Sequence, residues 1–185
     1  MSRGAIALTV ALAGLAAIAG AWAFEAWGYA PCELCLKERV PYYLGVPAAA
    51  LAFWAARSGA EGPTRAALGL AGLTFAAGAM LGAYHAGVEF KWWPGPSDCT
   101  GAYQAAGSTD DFLKQLRSTT VVRCDEAALR VLGLSLAVWN VLISVALAGL
   151  AAWGGARPRP ALGTDAAFTE ARTPDLAPGA VRDPM

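Results

Sequence analysis

Four stretches of the chain carry no Asp, Glu, Lys or Arg: residues 4–24, 40–56, 66–88 and 131–156. A helix of about 17 to 25 apolar residues crosses about 30 Å of hydrocarbon, so each stretch is long enough to span a bilayer. The pattern predicts an all-α membrane protein, a four-transmembrane-helix bundle with two loops on one side and a short turn, residues 58–65, on the other. The first stretch follows Arg3 and ends near Ala21-Trp22-Ala23, which imitates a secretory signal with its cleavage site. Its apolar core exceeds the roughly 7 to 15 residues of a signal core, so it reads as a retained helix.

Polar punctuation orients the bundle. Arg3, Arg57, Arg65, Arg157 and Arg159 flank one side, with only Glu61 among them, whereas the other two loops mix both signs. Basic residues near span ends mark the cytoplasmic side. Both termini are therefore expected in the cytoplasm, and the loops at 25–39 and 89–130 outside. Trp22, Phe24, Trp27 and Tyr29 close the first span with rings suited to the headgroup level. Pro41 and Pro47 interrupt the second, where a kink opening a groove and a bend that serves packing are both open readings. Gly78 and Gly82 stand in GxxxG register in the third and predict close helix contact.

The second outward loop begins KWWPGPSDC, a rigid aromatic and proline turn. Ser108 or Thr109 is placed to cap a short helix through Leu116, with Asp110 and Asp111 in its first turn. That helix, extended by Val121 and Val122, is expected to lie on the bilayer and to move. Residues 154–185 hold five prolines and no helical periodicity. They read as a disordered cytoplasmic tail, and residues 1–153 as one membrane domain.

Composition agrees with this pattern and adds little: 56% of residues are hydrophobic and 15% charged, with a mean hydropathy of +0.42, too apolar for an ordinary water-soluble domain. With 14 basic and 14 acidic residues the formal net charge is zero and no basic cluster stands out, which argues against nucleic acid as a partner.

The cysteines change the picture. All four, Cys32, Cys35, Cys99 and Cys124, fall in the two outward loops. A compartment outside the membrane that favours oxidation suits thiol and disulfide chemistry. In PCELCLKER a CxxC pair opens the second span. Unpaired backbone N–H groups at a helix start stabilise a thiolate, and Lys37 and Arg39 are candidate cations beside it, with Glu33 and Glu38 acting the other way. Cys99 and Cys124 enclose 24 residues of one loop, so they can close a disulfide or exchange with the first pair. Three readings stay open on spacing alone: a redox relay, two static staples, or a zinc site. Cys99 and Cys124 do not form the second close pair that strong zinc patterns show.

His85, the one histidine, stands near the outward end of the third span with Glu89 a turn later. An ionisable group at that depth is a functional candidate, although a packing role is as good a reading. Asn140, with Ser135 and Ser144, reads as an interhelical hydrogen-bond contact.

Three segments together, PCELCLKER, YHAGVEFKWWPGPSDC and CDEAALRVLGLSLAVWN, resemble the DsbB family of disulfide bond formation proteins, over roughly residues 5–153. The resemblance implies a bacterial inner-membrane enzyme that reoxidises a periplasmic thioredoxin-fold thiol oxidase, DsbA-like, at the expense of ubiquinone or menaquinone. By motif position, Cys99 resembles the cysteine attacked by the partner, Cys124 its mate, Cys32 the cysteine that exchanges with Cys124, and Cys35 the one in contact with the quinone. Arg39 and His85, and Glu89 beside them, resemble the residues around the quinone ring. Two alternatives are a quinone reductase like vitamin K epoxide reductase, whose CxxC stands near the last span, and a membrane scaffold with stapled loops.

Overall fold

The computed structural model describes residues 1–96, 108–110 and 123–158. Among them run four long helices and one hairpin: α1 (Arg3–Ala26), α2 (Glu33–Arg57), α3 (Glu61–Glu89), β1 (Arg130–Val131), β2 (Leu134–Ser135) and α4, Leu136–Ala156. Three of the helices, α1, α3 and α4, are long and apolar enough to cross a membrane. The second predicted span is also a helix, of 25 residues. Its apolar run is diluted by Glu33, Lys37, Glu38 and Arg39 in the first turns and by Pro41, Tyr42, Tyr43 and Pro47 beyond. Of the predicted surface helix only residues 109 and 110 are described, both helical, and the tail beyond residue 158 lies outside the described residues.

Side-chain caps set three of the helix starts. Ser2 Oγ accepts from the Ala5 N–H at 3.1 Å, Cys32 Sγ from the Cys35 N–H at 3.2 Å, and Ser135 Oγ from the Val138 N–H at 3.3 Å. Each relieves one of the orphan donors of a helix N-terminus. The last helix starts five residues later than the charge-free stretch suggested, because a hairpin intervenes. Leu132 and Gly133, with φ of +53° and +82°, form its two-residue turn, the left-handed pair that suits the twist of a tight hairpin. The pairs Arg130↔Ser135 and Val131↔Leu134 set its register. Trp139 Nε1 donates to the Val131 carbonyl at 3.0 Å and ties the hairpin to α4.

The helices close a ring in which α1 and α3 each pack against both α2 and α4. Phe75, Ile6, Leu68 and Val10 are fully buried at its centre. Small residues allow the approach. Gly78 faces Pro41 and Ser144, and Gly82 faces Asn140 and Val141, so the GxxxG register serves helix contact as the sequence predicted. Pro41 thus sits against a glycine, consistent with the packing reading of that proline. A Cβ on Gly45 would lie 2.8 Å from Phe75 Cζ and 2.9 Å from Thr74 Oγ1. Gly45→Val is therefore expected to cost about 1–3 kcal/mol by overpacking, read as a lower unfolding midpoint in detergent.

The outer surface is apolar, with Leu12, Leu51, Leu73, Met80, Leu142 and Val145 all exposed. Lipid would cover such a face. The two ends of the bundle differ. At one, Arg3 pairs with Glu61 and donates to the carbonyls of Gly154 and Arg157, joining the starts of α1 and α3 to the end of α4. At the other, the start of α2 and the end of α3 bring sulfur, imidazole and carboxylate together.

Candidate active site

The site begins with the start of α2. Cys32 is the N-cap residue and Cys35 stands in the first turn, so their spacing of three places both sulfurs on the same side, 2.8 Å apart. Both are free of any disulfide. The buried residues Leu34, Glu38, Tyr42, Gly45, Ala49 and Ala52 recur every three or four positions and make the inner stripe of α2. Glu38 thus lies on the face turned toward α3, and only 7% of it is exposed.

From α3, His85 meets that face. Its Nδ1 lies 2.6 Å from Glu38 Oε1 and its Nε2 lies 3.6 Å from Cys32 Sγ. Glu89 Oε1, one turn on, is 3.9 Å from the same Nε2. With Nδ1 donating to the carboxylate, Nε2 is the nitrogen turned toward the cysteine sulfur. A small cavity joins Cys32, Cys35, His85 and Glu89 to Arg123 and Glu126.

The Cys32 thiol, which lies just outside α2, is held far below the ordinary thiol range, at about 4. Contact with the Cys35 sulfur is the largest cause; burial opposes it, and His85 and the Cys35 N–H assist. A group so depressed stays ionised until the pH falls to that value. Alkylation of Cys32 in the reduced protein is therefore expected to be nearly independent of pH between about 6 and 8, where an unperturbed thiol of pKa about 8.5 slows nearly tenfold per unit. Peptide mass spectrometry across that range checks it, and an ordinary thiol profile would contradict it.

The remaining predicted site residues divide. Cys124 is disulfide-bonded and, at 1% exposure, shares one buried cluster with Cys32, Leu34 and Val88, against which Cys35 packs. The chain segments beside it make contacts of their own. Lys91, at φ +61°, turns the chain after α3. Its Nζ and the Arg123 guanidinium both bind Asp125, at 2.5 and 2.7 Å. Their positive charges keep the Asp125 carboxyl well below the usual range. Trp93 folds back, stacks on Tyr84, donates to the Tyr84 carbonyl and covers Gly87, which has no Cβ to obstruct it. Cys99 lies outside the described residues.

Arg39 and Lys37 are placed differently from the cation role read in the sequence. Arg39 Nη1 pairs with Glu25 Oε2 at the end of α1, at 2.7 Å, and Lys37 is exposed beside Glu33 at 3.4 Å. Neither lines the sulfur cavity. Helix rotation explains it: Arg39 follows Glu38 by about 100°, so if one faces α3 the other faces α1.

From the sequence, Glu38 reads only as a charge opposing the thiolate. Its place on the buried stripe, four residues from Leu34 and four from Tyr42, was the available signal. One turn deeper, Tyr42 Oη donates to Asn140 Oδ1 at 2.8 Å and lies 3.0 Å from Ser144 Oγ, linking α2 to α4. This bears out the expected interhelical role of Asn140 and Ser144.

The arrangement is that of a thiol–disulfide exchange centre: a free CxxC pair at a helix start, an imidazole oriented by a buried carboxylate, and a disulfide sulfur packed beside both. A search among curated proteins and one among solved structures returned no match. The family model for disulfide bond formation protein DsbB matches residues 3–154. Since that match runs from the start of α1 into the last turn of α4 and includes the sulfur centre, the chain belongs to the DsbB family of membrane disulfide-generating oxidoreductases.

Proposed function

We propose that this protein takes electrons from a periplasmic DsbA-like thiol oxidase through Cys99–Cys124, passes them to Cys32–Cys35 and delivers them to a membrane quinone. In this reading all four long helices span the inner membrane, both termini are cytoplasmic and the sulfurs face the periplasm. The burial of Cys124 in one cluster with Cys32 and Cys35 carries it, because exchange requires sulfur to meet sulfur.

The order follows from access and leaving-group chemistry. Cys124 is buried, so a partner thiolate reaches the disulfide through the other sulfur, assigned to Cys99, the remaining cysteine of the chain. A mixed disulfide forms on Cys99 and Cys124 leaves as thiolate; the partner's second thiol then displaces Cys99. The reduced loop pair next meets the oxidised Cys32–Cys35 bond. Cys124 attacks Cys32, Cys35 departs, and Cys99 closes on Cys124 to release Cys32. Two electrons have moved and the loop disulfide is restored. Cys32 is a good leaving group because the Cys35 N–H and His85 hold its thiolate. With Nδ1–H held by Glu38, His85 Nε2 is the basic nitrogen that takes up a proton from the thiol as its thiolate forms.

A quinone supplies a lipid-soluble acceptor of two electrons and two protons. The residues suit such a group. Leu36, Val40 and Tyr43 are exposed along α2 next to the sulfur turn, with Trp22 ringed against Tyr43. This offers an apolar flank for a ring and tail. Arg39, His85 and Glu89 are the polar side chains assigned to hold it, Arg39 by exchanging Glu25 for a quinone oxygen. Neither alternative from the sequence, the vitamin K epoxide reductase type or the stapled scaffold, is favoured by the family match.

The test is direct. Purified protein with bound quinone is mixed with a reduced thioredoxin-fold oxidase, and quinone absorbance is followed. Stoichiometric bleaching with oxidation of the partner is expected; an unchanged spectrum removes the proposal and favours a scaffold.

A further inference from the structure

The sulfur centre has a second chemistry available when its pair is reduced. Cys32 Sγ, Cys35 Sγ and His85 Nε2 lie within 4.8 Å of one another. Tetrahedral zinc with bonds of about 2.3 Å to sulfur and about 2.0 Å to nitrogen sets ligand atoms about 3.5 to 3.8 Å apart. The Cys32 Sγ to His85 Nε2 distance, 3.6 Å, already fits that edge. The two sulfurs, 2.8 Å apart, need to separate by about 1 Å. Free thiols can do so, since only side-chain rotation is involved.

The surroundings are also those of a metal site. Glu38 Oε1 on His85 Nδ1, at 2.6 Å, fixes the proton there and leaves the Nε2 lone pair aimed at the sulfurs. Such a carboxylate behind a ligating imidazole commonly tightens metal binding. Glu89 Oε1 lies 3.9 Å from Nε2, outside that group of three, with its side chain 7% exposed, and is the carboxylate assigned to turn in as a fourth, oxygen ligand. Cys32 and His85, at 5% and 2% exposure, are shielded from water.

We infer that the reduced Cys32–Cys35 pair, with His85 and Glu89, forms a redox-gated site for a thiophilic divalent cation such as zinc. Binding joins the metal to the Cys32 thiolate and replaces the Cys35 S–H bond by a second metal–sulfur bond, releasing one proton; no electrons move. A disulfide offers neither thiolate, so the oxidised protein lacks the site. Zinc thereby arrests the enzyme in its reduced form.

Cobalt(II) is the probe, added to the full chain carrying Cys99→Ser and Cys124→Ser so that the loop pair cannot compete. The reduced protein is expected to bind one cobalt with thiolate charge-transfer absorption and tetrahedral visible bands, displaced by zinc; the oxidised protein, none. His85→Ala should abolish the tetrahedral spectrum, and Glu38→Gln should weaken affinity on the order of 10-fold with the same stoichiometry. Absence of binding by the reduced protein, equal binding by the oxidised one, or a spectrum and affinity unchanged in both His85→Ala and Glu38→Gln overturns the inference. Chelator-reversible zinc inhibition of quinone reduction is measured separately on the unsubstituted chain. Activity without cobalt binding sinks the metal site alone; cobalt binding without activity sinks the proposed function alone.

Discussion

Cys99→Ala is expected to reduce oxidation of a protein dithiol to background while the bundle stays folded. Cys124 is buried beside the CxxC pair, so without its mate there is no loop disulfide for a partner to attack, and no sulfur to release Cys32 afterwards. Packing should survive, because the core is built from α1 to α4, with Phe75, Ile6, Leu68 and Val10 at its centre. Two readouts separate loss of relay from loss of fold. Partner oxidation should vanish, whereas quinone reduction driven by a small dithiol, which can reach Cys32–Cys35 without the loop, should persist. Turnover of the partner at the unsubstituted rate would refute the relay order.

Glu38→Leu is expected to lower quinone reduction by about 10²-fold or more, the scale of losing a positioned acid–base group. Glu38 acts through His85, so it is a positioning residue. Leucine fills the volume but leaves Nδ1 without its acceptor, and Nε2 is then no longer held toward Cys32. Glu38→Gln, which still accepts from Nδ1, should retain more activity. A purely structural role would move activity and unfolding together. The distinguishing measurement is Cys32 alkylation against pH, whose midpoint should rise in Glu38→Leu as the thiolate loses the oriented imidazole. The groups facing His85 in that experiment are Cys32, Cys35 and Glu38 from α2, Glu89 from α3, and Arg123 and Glu126 across the cavity. An unchanged Cys32 profile with full activity would remove the role given to Glu38.

Local pattern carried much of the site. A cysteine that caps a helix and another three residues later must share one side of the first turn, whatever the rest of the chain does. His85 and Glu89, four apart on α3, likewise had to share a face. Arg39 shows where such reasoning fails. One residue of helical rotation decides whether a side chain points to a sulfur or to α1, and an i,i+4 relation to Cys35 does not say which neighbour occupies that side. Glu38 shows a second limit: local pattern gave it a charge that opposes a thiolate, and only the packing of α3 against α2 shows that the same carboxylate also orients His85.

The amino-acid sequence by itself determined the long helices, the short arginine-flanked turn and the CxxC at a helix start. Hydrocarbon needs long uncharged runs, and caps are chosen by residues adjacent in the chain. Only the tertiary structure decided that Glu38 stands behind His85, that Arg39 pairs with Glu25, and that Cys124 is buried beside Cys32 ahead of the hairpin. Those contacts join residues 14 to 92 positions apart. They depend on how the helices rotate against one another and on where the chain after α3 folds back, which no local periodicity encodes.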